Sequence, residues 1–412
     1  MSRRLDVLQS EPHPRYVVWE ITLRCDLACT HCGSRAGPSR PDELTTAEAL
    51  EVVEQLASMG ASEVVLIGGE AYLHDGFLEI TRALKDAGIT PVITTGGRGV
   101  TASLAAAMAE AGMARMSVSI DGLRATHDRM RAWRGSFDAA TAALEHGHAA
   151  GIVVSANSNF NRLNMAELEA VYAHLRGQGI VAWQIQLTTP LGRAADRTDL
   201  TLQPFDLLDF VPRVAAIKSR AQKDGIVVMP GNNLGYFGPE EALLRSPKPG
   251  GKDHWMGCQA GKYVMGIESD GAVKGCPSLQ TAHYVGGNLR RRSLREIWDG
   301  SDELAFARTR TVDDLWGFCR SCPFAEPCMG GCSFTAHALL GRPGNNPYCH
   351  FRARHFAKQG KRERLVPAEA ASGRPFDNGT FSLVVEPLDA PDPREGVAPE
   401  QLVQITRRPV RA

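Results

Sequence analysis

The residues with the most chemistry in them are 10 cysteines, and they are not scattered. Cys25, Cys29 and Cys32 form a C-x3-C-x2-C trio, and the other seven lie between Cys258 and Cys349. Clustering of this kind points to metal. Thiolates are soft ligands suited to iron–sulfur clusters or zinc. Three in one short loop can hold three irons of a four-iron cluster, leaving the last iron open. An open position is how a metal site does chemistry on a bound molecule. A structural zinc site wants a fourth nearby protein ligand, and His31 lies awkwardly between two of the cysteines for that task.

Something must hold that loop in place. From about residue 17 to 229 the sequence alternates short apolar runs with helical segments. The strand candidates are 17–23, 63–67, 90–95, 115–120, 152–157, 182–187 and 225–229. They read as nearly continuous apolar or β-branched runs, as expected of parallel strands covered on both faces. Between them lie helices. Ala49, Val52, Val53, Leu56 and Gly60 share one face of the first, and Thr45 with Glu48 makes a capping box. Others are predicted over 102–111 and 167–175. Repeated βα units of this kind predict a parallel barrel or an open doubly wound sheet. Either places ligand sites at the carboxyl ends of the strands. The cysteine trio follows strand one, Gly68-Gly69-Glu70 strand two, and Thr94-Thr95-Gly96-Gly97 ends and follows strand three. Ser119 and Asp121 close strand four, Asn157 closes strand five, and Arg193 comes just beyond strand six. Polar residues and glycines gather at one end of nearly every strand, which predicts a single site.

Lys+Arg and Asp+Glu both total 46, so no basic excess argues for nucleic acid. The Arg290-Arg291-Arg292 run reads as a solvated turn. No apolar run approaches the ~20 residues of a membrane helix, and the first residues lack the apolar core of a signal peptide. A cytoplasmic protein is expected, where disulfides are rare and metal must account for the thiols. A Pro/Gly-rich stretch over 246–251 marks a boundary. Beyond Gly373 the Pro, Asp and Arg content predicts a loose tail, with one strand at 381–385.

C-x3-C-x2-C after the first strand, with Gly68-Gly69-Glu70 after the second, resembles the radical S-adenosylmethionine (radical SAM) superfamily over residues 15–230. The resemblance implies an α/β fold, a partial (β/α)6 TIM-like barrel. It implies a 4Fe–4S cluster on Cys25, Cys29 and Cys32, with Gly68, Gly69 and Glu70 at the amino group of S-adenosylmethionine. It places Ser119 and Asp121 near the ribose, and Asn157 and Arg193 near the methionyl end. Ala71 stands where the family usually has proline, which affects local loop shape. In the family, the reduced cluster cleaves the sulfonium to a 5′-deoxyadenosyl radical that abstracts a substrate hydrogen.

The downstream pattern is similar to the SPASM domain, a small cysteine-rich module: Cys258, Cys276, Cys319-x2-Cys322-x5-Cys328-x3-Cys332 and Cys349. By this resemblance Cys319, Cys322, Cys328 and Cys349 hold a far auxiliary 4Fe–4S cluster, and Cys258, Cys276 and Cys332 a near one. Seven thiolates are one short of two complete clusters. Asp253 and His254 are candidates for the missing place; otherwise the position is open. A zinc ribbon on the close pairs is the competing reading. The expected organisation is a barrel over 1–230, a linker over 231–255, the SPASM domain over 256–352, and a helix and loose tail over 353–412.

The expected activity is oxidative modification of a ribosomally made peptide, with a flavodoxin- or ferredoxin-type reductant. Only 24 residues precede Cys25, which leaves no room for the recognition domain of many such maturases. The precursor peptide is therefore expected at the barrel mouth, on the tail or on a separate recognition protein. No membrane or nucleic-acid partner is expected. Rivals are dehydrogenation of a small molecule or a sulfatase side chain, and a non-enzymatic metal or electron-transfer protein. No acid–base residue can be assigned. His74, His127 and His146 read as structural or surface residues.

Overall fold

The computed structural model describes residues 11–394; the first residues, tested above for a signal peptide, and the last part of the tail lie outside them. Seven parallel strands run in sequence order: β1 (Tyr16–Thr22), β2 (Glu63–Gly68), β3 (Thr90–Thr95), β4 (Arg115–Ser119), β5 (Val153–Phe160), β6 (Ala182–Leu187) and β7 (Val227–Pro230). The helices between them are α1 (Thr46–Ser58), α2 (Phe77–Asp86), α3 (Ala102–Glu110), α4 (Arg124–Arg131), α5 (Ser136–Ala149), α6 (Leu168–Leu175) and α7 (Leu207–Ala221). This is the parallel α/β arrangement expected from the βα repeat, in the partial-barrel form that the resemblance implies. Thr45 and Glu48 form the capping box of α1, and Ala49, Val52, Val53 and Leu56 are its buried face. Gly60, expected on that face, instead lies past the helix end with φ +77°, where a side chain would be strained.

Alternate strand residues divide the labour. Val64, Leu66, Ile93, Met116, Val118, Val154, Trp183 and Ile185 sit in one continuous core with helix residues such as Leu56, Ile80, Leu144 and Leu175. The opposite face of β4 to β6 carries Ser117, Ser155, Asn157, Asn159, Gln184 and Gln186, all part-exposed. Period-2 alternation makes one face a core and the other a polar inner wall.

The cysteine-rich half is not hung on a passive linker. Leu234, Tyr236, Leu244 and Trp255 of the segment over 231–255 are buried, which its length and Pro/Gly content conceal. Beyond it, β8 (Val264–Ile267) pairs in parallel with β1, and β9 (Ala272–Lys274) and β10 (Val285–Asn288) follow antiparallel. One ten-stranded sheet therefore runs through both halves, in the order β10-β9-β8-β1-β2-β3-β4-β5-β6-β7.

The one strand expected beyond Gly373, at 381–385, is present, and its partner, which lies before Gly373, was not expected. β12 (Thr380–Pro387) pairs antiparallel with β11 (Lys361–Glu369), following the helix His350–Ala357. The Lys-Arg-Glu-Arg start of β11 hides a strand because its charges are satisfied by pairing. Arg362 and Arg364 bind Glu386, and Arg352 binds Glu363 through both carboxylate oxygens at 2.6 Å.

Candidate active site and thiolate centres

Gly68 and Gly69 earn their place sterically. A Cβ on Gly68 would lie 2.2 Å from the Thr22 carbonyl oxygen, and one on Gly69 2.2 Å from that of Arg24. Only glycine lets the end of β2 close against the end of β1. There the Gly69 and Glu70 amides donate to Thr22 and Arg24 carbonyls at 2.8 Å. This contact delivers Glu70 to the cysteine loop. Donor atoms of Cys25, Asp26 and Glu70 all lie within 4.8 Å of one another. Glu70 is 3% exposed; its carboxylate accepts from the Thr95 hydroxyl (2.5 Å) and the Gly96 amide (2.7 Å). Burial pushes its carboxyl up to about 7, against those two hydrogen bonds.

Arg193 clamps the loop from the far side of the sheet. Its Nε donates to the Cys29 carbonyl at 2.7 Å, its Nη1 to that of Ala36 at 3.0 Å, and its amide to that of Cys32 at 2.9 Å. Arg35 adds a fork to Asp196 and a bond to Asp377. The tail thus reaches the loop as well: Phe376 donates its amide to the Gly33 carbonyl at 3.0 Å.

Asp121 is fully buried and heavily used. Its Oδ1 accepts from the Asn159 amide at 2.8 Å, and its Oδ2 lies 2.5 Å from Arg131 Nη2 and 3.3 Å from His31 Nε2. Burial alone would raise its pKa, but the Arg131 and His31 charges outweigh it and hold the carboxyl well below the usual range. Arg131 Nη1 in turn stands 3.6 Å from Cys29 Sγ. Sequence reasoning missed Arg131. It lies at the end of α4, where an arginine reads as a surface residue. Ser119 ends β4 and is the register partner of Asn157, which does not close its strand as expected, because β5 runs on three residues to Phe160. Among the described residues, neither side chain is held by a hydrogen bond, so both are available to a ligand. His127 is buried and its Nδ1 accepts from the Asp121 amide at 3.0 Å, while burial brings its pKa down to about 3. His146 bonds the Val100 carbonyl at 2.8 Å, and His74 accepts from the Gly76 amide at 3.1 Å.

At the opposite, amino end of the strands lies a cavity of about 490 Å³. Tyr16, Glu63, Thr90 and Arg115, from the first residues of β1 to β4, form one wall; Trp255 and Gly257 of the loop before Cys258 form another. Arg115 and Glu63 pair on the first of these walls.

The other seven thiols fall into two groups. Cys319, Cys322, Cys328 and Cys349 converge on one small apolar pocket walled by Phe237, Phe318, Phe324 and Phe351. Cys258, Cys276 and Cys332 face one another closely enough to interact electrostatically. Burial, then Cys258, pushes the thiols of Cys276 and Cys332 up to about 12 and about 11. All ten cysteines are free thiols. Buried thiol groups raised by their own neighbours are destabilised as thiolates until a cation arrives. Sets of three, three and four soft sulfurs in apolar surroundings fit iron–sulfur clusters.

Residues 19–175 match the radical SAM superfamily, and residues 258–323 match the SPASM iron–sulfur cluster-binding domain. The chain therefore carries a radical SAM domain, with a SPASM domain downstream of it. It is similar to the AdoMet-dependent heme synthase of Methanosarcina barkeri, 29% identical over 350 residues, covering 82% of this chain and 97% of that protein. It is also similar to the mycofactocin maturase MftC of Mycobacterium tuberculosis, 28% identical over 368 residues, covering 87% and 88%. In fold it is similar to Streptococcus suis SuiB bound to S-adenosylmethionine, with a TM-score of 0.63 at 16% identity, over 82% of this chain and 76% of that one. No helix among the described residues is long and apolar enough to cross a membrane.

Proposed function

We propose that this radical SAM enzyme modifies a side chain of a ribosomally made peptide, with net oxidation. The observation that carries the reading is the inner wall of β4 to β6. Ser117, Ser155, Asn157, Asn159, Gln184 and Gln186 offer a strip of hydroxyl and carboxamide groups. Such groups present donor and acceptor together, which suits the alternating N–H and C=O of a peptide. The mycofactocin maturase relatives point the same way.

In this reading Cys25, Cys29 and Cys32 would hold a 4Fe–4S cluster, three thiolates leaving a place for S-adenosylmethionine. When bound, these groups supply a 5′-deoxyadenosyl radical able to take a hydrogen atom. The chain's own residues set the geometry. Gly68 and Gly69 allow the close approach, Glu70 meets the cofactor's amino group, and Ser119 and Asn157 offer the side chains left unpaired. Asp121 and Arg193 act as positioning residues, the first bracing Arg131 and His31, the second fixing the loop's carbonyls. The barrel wall excludes water from a reactive species. Cys258, Cys276 and Cys332 would hold a near auxiliary cluster and the remaining four cysteines a far one, groups able to accept the electron that the substrate radical must lose for a net oxidation. The partners are a precursor peptide, with or without a recognition protein, and a flavodoxin- or ferredoxin-type reductant.

A second reading, a carboxylate-bearing tetrapyrrole as substrate, is favoured by the heme synthase relatives. One experiment separates them. The anaerobically reconstituted protein is incubated with S-adenosylmethionine, a reductant, and either candidate precursor peptides from small reading frames near its gene or an iron porphyrin. Loss of two hydrogens from the peptide, read by mass, supports the first. A changed porphyrin with the peptide untouched refutes it.

A further inference from the structure

The near thiol group supplies three ligands where a four-iron cluster has four irons. The cavity beside Cys258, about 350 Å³, is lined by His254 and Glu326 as well as Cys258 itself. His254 also lines the larger cavity beneath the barrel, so it stands where the two meet.

Its segment is anchored at the thiol groups by the next residue. The Trp255 amide donates to Glu241 at 2.8 Å, and the Trp255 indole N–H donates to the Cys328 carbonyl at 3.1 Å. The same indole packs edge-on against Tyr236 at 5.3 Å. The Tyr236 hydroxyl accepts from the Cys332 amide at 3.2 Å. Two residues past Trp255, Gly257 takes φ +81° and turns the chain back toward Cys258. His254 is thus tied to a thiol ligand through the backbone on one side and through Trp255 and Tyr236 on the other.

The ring is also prepared. Its Nδ1 bonds the Trp255 carbonyl at 2.8 Å, which fixes the N–H there and leaves the lone pair on Nε2. Among the described residues nothing bonds Nε2. A carbonyl on one ring nitrogen and a metal on the other is the usual arrangement of a ligating histidine. Phe237 lies against the ring, 5.7 Å between centroids, and limits its swing. Glu326 offers a harder oxygen donor that iron–sulfur clusters favour less than imidazole nitrogen.

We propose that Nε2 of His254 is the protein ligand of the fourth iron of the near auxiliary cluster. The inference rests on the reading of Cys258, Cys276 and Cys332 as a cluster site. The full chain, grown with ordinary or ¹⁵N-labelled histidine, is reconstituted without S-adenosylmethionine and reduced. Electron–nuclear double resonance then reads nitrogen coupled to the cluster spins. The expected result is a histidine nitrogen coupling that changes isotope pattern with the label. It is lost in His254→Gln with auxiliary iron retained. His254→Cys should load the cluster without the coupling and at a lower reduction potential, since imidazole in place of thiolate raises the potential. A fully loaded near cluster with no histidine nitrogen overturns the proposal, as does a coupling that survives in His254→Gln. Auxiliary iron for only one cluster sinks the near-cluster reading itself, and the ligand with it. The labelled wild-type protein is decisive even where a variant fails to fold.

Discussion

Replacing Gly69 with alanine puts a single methyl group where the structure has no room. Its carbon would sit 2.2 Å from the Arg24 carbonyl oxygen, 2.5 Å from that carbonyl carbon and 2.6 Å from the Cys25 Cβ. Ordinary contact begins near 3.4 Å, so the end of β2 and the cysteine loop must part by about 1 Å. The neighbours are backbone and the Cys25 Cβ, so no flexible side chain can absorb the shift. Overpacking of this kind costs about 1–3 kcal/mol of stability. The functional loss is larger, because a 1 Å misplacement of reacting groups costs on the order of 100-fold in rate. The assay is formation of 5′-deoxyadenosine by the anaerobically reconstituted protein, alongside iron content and thermal unfolding. Gly37→Ala is the matched control: it lies in the same loop, and an added Cβ meets nothing within 4 Å. Near wild-type cleavage by Gly69→Ala, or equal damage in both variants, would refute the steric account of the glycine pair.

Asp121→Asn strips the buried Arg131 of the carboxylate 2.5 Å away, and an uncompensated buried charge costs about 3–5 kcal/mol, readable as a fall in Tm of the cluster-free protein. Glu20 is buried beside Glu268, and burial pushes its carboxyl from 4.5 up to about 8 against the pull of Arg40. A raised acid favours the folded state below pH 4.5 and loses that contribution as pH climbs towards 8. Stability of the wild type relative to Glu20→Gln should therefore fall across that window, by at most about 1.4 kcal/mol per pH unit in denaturant titrations. A flat difference counts against it. Cys349→Ala should remove the far cluster, lowering iron by about four atoms per chain while leaving the reductive cleavage of S-adenosylmethionine intact.

Most of the barrel was legible because its signals are local. Seven apolar runs, Thr45 with Glu48, and the trio after the first strand each announce themselves within a few residues. The site's first layer followed from where strands end. What lies behind it did not. Arg131 reaches Asp121 and Cys29 only through the curl of the sheet and the placement of α4, which no spacing encodes. Arg193 was expected near the site from its place after strand six, but its hold on the Cys29 and Ala36 carbonyls concerns backbone that only the fold brings near. β11 escaped notice because a strand start written Lys-Arg-Glu-Arg looks solvated until Glu386 and Arg352 supply its partners. The buried segment over 231–255 escaped for the opposite reason: Tyr236 and Trp255 are too widely spaced to show a period.

The parallel pairing of β8 with β1 has a consequence for how the protein can be taken apart. Main-chain hydrogen bonds tie Tyr16–Trp19 to Val264–Ile267, on the strand that leads directly into the Cys25 loop. Cutting the gene before Cys258 would not release a tidy barrel. It would strip a central strand of its neighbour and leave a row of unsatisfied amides and carbonyls beside Val18 and Glu20, a template for sticking to other chains. The distance between the first thiol group and the next is likewise set by a shared sheet rather than by a hinge. In the proposed relay, an electron crossing between them would meet a gap set by the fold.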